Sequence, residues 1–105
     1  NSAGQTFIYD ASSLLPLPEK GLAAFRSYLK NETARVATQQ PAHIRVAFRV
    51  TRRGVLTDFN IEDSSSPSLN AKAIEILLHG PAWLPARMHG DQPIDAFTFV
   101  DLTFN

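Results

Sequence analysis

The chain reads as an α+β domain: a three-stranded antiparallel sheet with two helices packed on one face, in the order α-β-β-α-β. Three observations predict it. Leu22, Phe25 and Leu29 recur at helical spacing; the apolar period falls to two from Ile44 to Val50 and again from Ala96 to Phe104; and a second helical run, Leu69 to Leu78, lies between those strands. At 105 residues and 44% hydrophobic, the chain has material for one domain with a modest core.

Taken in order, TFIY (Thr6 to Tyr9) is rich in strand formers and offers an extra N-terminal strand or a tail. Ala11 to Lys20, ASSLLPLPEK, is the nearest thing to a linker, so residues 1–18 read as an extension and 19–105 as the domain. Glu19 to Lys30 is predicted as helix, with Asn31 as its stop, and Glu32 to Ala42 as a connection whose first residues can prolong that helix. Ile44, Val46, Phe48 and Val50 then alternate with Arg45, Ala47, Arg49 and Thr51. Arg53-Gly54 turns the chain, and Phe59 and Ile61 continue the buried face of a hairpin. A four-residue loop, Arg52 to Val55, sets Phe48 opposite Phe59, Val46 opposite Ile61, Arg49 opposite Asp58 and Arg45 opposite Glu62. Serines and Pro67 open the second helix, Leu69, Ala73, Ile76 and Leu77 form its inner face, and Gly80-Pro81 ends it. The last strand points Ala96, Thr98, Val100, Leu102 and Phe104 one way and Phe97, Phe99, Asp101 and Thr103 the other.

Composition removes several classes of function. Ten basic and ten acidic residues cancel, so no global field attracts nucleic acid or an anionic membrane. The basic stripe His43, Arg45, Arg49, Arg52 and Arg53, balanced by Asp58 and Glu62, reads as a solvated sheet face. Without cysteine there is no disulfide, thiolate zinc site or cysteine nucleophile. No glycine-flanked nucleophile or phosphate-cradling loop appears, and Glu62, Asp63 and Ser64 to Ser66 sit where a strand hands over to a helix, which suits capping. The expectation is a protein without enzymatic activity, cofactor or metal.

The segment HGPAWLPARMHGDQPI, His79 to Ile94, holds three prolines, two glycines and the only tryptophan. Prolines stiffen a loop that lacks ladder bonds, and a buried indole adds about 150 to 250 Å² of packing, so Trp83 is expected to plug the core. An exposed Trp83 would instead offer a platform for a peptide or a cell-wall glycan. His79, His89 and Asp91 lack the spacing of a metal site.

With GLAAFRSYL, IRVAFRVTRRGVLTDFNI, SPSLNAKAIEILLHGPAWLPA, Gly90 and the closing VDLTF on the page, residues 19–105 resemble the TonB C-terminal domain family of Gram-negative envelopes. The glycine-led first helix is most similar to TonB-like domains appended to other envelope proteins. The resemblance implies a periplasmic module within a larger, membrane-anchored parent, which the absence of an initiator methionine fits. It also implies that the last strand is an open sheet edge accepting an extended peptide from an envelope or outer-membrane transport protein. The binding residues would then be Ala96, Phe97, Thr98, Phe99, Asp101 and Thr103.

Phe97 and Phe99 on an open face call for cover. The N-terminal segment can fold over them, the strand phase can slip at a bulge, or a partner can supply the cover. The alternative function is a dimerising or regulatory interaction domain with no transporter contact. Both functions suppose a three-stranded meander whose last strand keeps a free border.

Overall fold

The computed structural model of the chain describes residues 15–88 and 92–105. TFIY, His89, Gly90 and Asp91 lie outside the described residues, and with them the extra strand and two of the three metal-ligand candidates. The elements run β1 (Leu17–Pro18), α1 (Leu22–Ala34), β2 (Ala42–Val50), β3 (Leu56–Ser64), a 3-10 turn at Pro67–Leu69, α2 (Asn70–Leu78), β4 (Trp83–Leu84), β5 (Ala86–Met88), β6 (Gln92–Ile94) and β7 (Ala96–Phe104).

Helix α1 begins and ends later than its sequence suggests. Gly21, at φ 94° and ψ 162°, occupies a region essentially closed to side-chain-bearing residues, so the helix starts at Leu22 rather than Glu19. It passes through Asn31 because Thr33 extends the buried stripe of Phe25 and Leu29 by one further turn, and its hydroxyl donates to the Lys30 carbonyl at 3.3 Å. Helix α2 buries Ala73, Ile76 and Leu77, with Leu69 packed beside them, which is the inner face expected. The Tyr28 hydroxyl donates to the Ile76 carbonyl at 2.7 Å and ties α1 to the end of α2.

Ile44, Val46, Phe48 and Val50 are fully buried, and His43, Arg45, Ala47 and Arg49 face the other way, as the alternation requires. The sheet order is β3-β2-β7, all antiparallel. The meander is therefore corrected: the last strand lies beside β2, not β3. A strand with a wholly buried inner face gains most from a neighbour on each side, and β2 holds that central place. Among the described residues β7 has no neighbour on its other border.

The hairpin register holds in the middle and slips at both ends. Val46 faces Ile61, but Arg49 faces Thr57 rather than Asp58, Arg45 faces Asp63 rather than Glu62, and Val50 faces Leu56. Strand β3 carries an extra residue at each of two register shifts, and Asp58 sits at φ 55° in one of them. The Phe48 and Phe59 rings still meet, with centroids 5.7 Å apart.

Residues 15–20 and 79–94, expected as linker and loop, pair with each other and among themselves. Leu17 faces Leu84, Pro18 faces Trp83, the Glu19 N–H donates to the Ala82 carbonyl at 2.8 Å, and Ala86–Met88 pairs with Gln92–Ile94. Prolines are tolerated in such two- and three-residue edge ribbons, where few N–H groups are needed. Trp83 is 7% exposed and meets Phe25 and Phe48 edge-on, each at 5.3 Å between centroids. Those rings join Ile44, Val46, Leu77, Leu102 and Phe104 in one core. The indole is a plug, and its burial leaves no platform for a glycan.

Candidate functional site

Strand β7 pairs with β2 along its full nine residues, from Val50 opposite Ala96 to Ala42 opposite Phe104, without a shift in register. Among the described residues it has no second neighbour. Alternate residues of such a strand turn their N–H and C=O groups away from the sheet, ready to bond another extended chain. The strand carries neither proline nor lysine, the residues that commonly blunt an edge, and its one charge, Asp101, is engaged elsewhere. The opposite edge, β3, is broken by its two register shifts and by the left-handed Asp58. The sheet therefore has one regular border and one spoiled one.

Every residue expected to bind lies on β7. Phe97, Phe99, Asp101 and Thr103 are exposed on the outer face, while Ala96 and Thr98 are half-buried toward the core. Phe97 is 68% exposed and Phe99 51%; among the described residues nothing folds over them, and no register shift interrupts their strand. Between them and Asp58, Asn60 and Glu62 of β3 lies a shallow depression of about 380 Å³, floored by Ala47. Its depth comes from one small residue at the centre of the sheet.

The outer face is held by ions. Arg45 donates to both carboxylate oxygens of Asp101, at 2.8 and 3.2 Å, and its guanidinium carbon stands 4.3 Å from the centroid of the Phe99 ring. His43 Nε2 lies 3.2 Å from the same carboxylate, and His43 Nδ1 lies 4.0 Å from Asp63. The hydrogen bond from Arg45 holds the Asp101 carboxyl below its usual range, and the same bond raises the guanidinium above its own. Arg49 meets Asp58 at 2.9 Å, so one expected charge pair forms although the residues are not opposite in register. The other, Arg45 with Glu62, is replaced by Asp101 because β7 lies flush against β2 and β3 is displaced by its bulge. No reading of the chain one strand at a time finds that pair; it needs the strand order. Arg52 is paired too, its side chain 3.7 Å from Asp95.

The remaining candidates resolve into structure. The Ser64 hydroxyl donates to Asn70 at 2.7 Å and accepts from the Ser66 N–H, and the His43 N–H donates to the Ser65 hydroxyl, so the serine run ties β3 to β2 and to α2. His79 is an exposed cap at the end of α2. Among the described residues no group of three His, Asp or Glu side chains could hold a metal. Comparison with family models, with curated proteins and with solved structures gives no match.

Proposed function

We propose that this chain is a non-enzymatic protein-binding module that adds an extended segment of another protein to its sheet at β7. The observation that carries this reading is the border of β7: nine residues in unbroken register with β2, no second neighbour among the described residues, and two exposed phenylalanines beside it. Backbone hydrogen bonds would supply affinity, and Phe97 and Phe99 would select side chains.

The resemblance in the sequence gives the setting. A TonB C-terminal-like domain, with both helices backing one sheet face, belongs in the periplasm within a membrane-anchored parent and receives a segment of an envelope or outer-membrane transport protein. The same exposed rings support a second reading, in which another copy of the chain covers them and the domain dimerises.

Titration of isotope-labelled protein with extended peptides from candidate envelope proteins separates the two. Strand addition moves the amide signals of Ala96 to Thr103 first. Concentration-dependent mass with Phe97 and Phe99 shielded between copies, and no peptide effect on those amides, would replace the first reading with the second.

A further inference from the structure

The inner side of the same border has a chemistry of its own. Arg26, Leu29, Lys30, Thr33 and Ala34 are spaced along one face of α1, and this face lines a groove of about 460 Å³ whose other wall is Asp101, Leu102 and Thr103 of β7 with Asn105 just beyond it. A strand added to β7 would lay every second side chain into this groove, because alternate residues point to the helix side. Leu29 and Leu102 are buried at its base, and Arg26 and Lys30 are exposed at its rim.

Arg26 and Lys30, like Lys20 and Arg53, make no ion pair among the described residues, whereas Arg35, Arg45, Arg49, Arg52 and Lys72 each have a carboxylate. The one acidic side chain lining the groove among the described residues, Asp101, already receives two hydrogen bonds from Arg45 on the outer face. Two cations one helical turn apart thus border an unpaired strand with no anion of their own. We infer that the segment docking on β7 carries an acidic side chain on its helix-facing side, held between Arg26 and Lys30. This rests on the strand-addition reading above and adds to it the charge of the guest.

The test uses eight-residue peptides of alternating valine and threonine, blocked at both ends, with one glutamate walked through the positions and a matched glutamine set. Binding is read from the β7 amide signals of the protein and of its Arg26→Gln, Lys30→Gln double variant, whose exposed substitutions leave the core intact. At one register the glutamate peptide should bind about fivefold more tightly than its glutamine twin, the scale of an exposed ion pair. That advantage should vanish in the double variant and shrink with added salt, while glutamine peptides bind both proteins alike. Equal binding of the twins, or a preference that survives the double variant, overturns the inference and leaves strand addition standing. No β7 shift with any peptide overturns both.

Discussion

Asp101 on the border strand accepts two hydrogen bonds from Arg45 on the central strand, at 2.8 and 3.2 Å, directly across the pairing that joins β7 to β2. The contact fixes the outer face of the edge where a guest would lie, and it ties edge stability to pH. The Asp101 carboxyl is held low by Arg45, so its contribution is present above the usual carboxylate range and disappears as pH falls through its lowered value. Urea midpoints of the wild type and Asp101→Asn should differ modestly at pH 7 and converge in acid. Curves that stay parallel down to pH 2 would show that the pair contributes nothing.

The exposed rings should matter more for docking than for folding. Phe97→Ser is expected to change stability by less than about 0.5 kcal/mol and Phe99→Ser, which loses the Arg45 contact, by about 0.5 to 1 kcal/mol, whereas Phe48→Ala in the core should cost about 3 to 5 kcal/mol. Each serine variant should weaken a β7-binding peptide by about tenfold, the scale of one partly reburied ring. Calorimetric titration of the folded variants measures this directly, and unchanged affinity in both would remove the rings from the interface.

Trp83 stands between Phe25 and Phe48, and its Nε1 is buried with no hydrogen-bond partner among the described residues. Trp83→Ala should lose about 3 to 5 kcal/mol through the cavity it leaves. Trp83→Phe should lose less, since it keeps an edge-on ring and removes the unsatisfied N–H. Denaturant melts followed by circular dichroism give both values, and equal losses would argue against that N–H as a cost.

Gly54 and Gly21 both hold positive φ, at 80° and 94°, but only one has a neighbour. A Cβ on Gly54 would collide with the backbone carbonyl oxygen of Trp83, while one on Gly21 would meet open space. Gly21→Ala should therefore cost the backbone strain alone, about 1 to 3 kcal/mol, and Gly54→Ala more than that. The reverse order in thermal melts would mean that the hairpin tip moves away from the Trp83 strand at little cost.

Alternation made β2 and β7 legible in the sequence, because period two states directly which residues are buried. It does not say which strand lies next to which, so the place of β7 beside β2, and with it the Arg45–Asp101 pair, had no signal in a single chain. The hairpin ends were hidden for a related reason. A bulge at Asp58 or near Glu62 adds a residue without changing the apolar pattern around Val46 and Ile61, where the register reads correctly. Proline content argued against strands in ASSLLPLPEK and HGPAWLPARMHGDQPI, yet ribbons of two or three residues need so few N–H donors that the argument fails there. Arg26 and Lys30 escaped notice because a cation on a helix is ordinary until the neighbouring edge is seen to have no partner among the described residues.

The two extra residues in β3 have an effect beyond their own strand. In edge-to-edge pairing the regular rim of β7 would meet the kinked rim of β3 on a second copy, a mismatch that disfavours head-to-tail growth. On the strand-addition reading the regular rim would take one guest per molecule; on the dimer reading it would take a second copy about a twofold axis. Straightening β3, which takes removal of both extra residues, Asp58 and the one near Glu62, would present two regular rims and favour head-to-tail pairing.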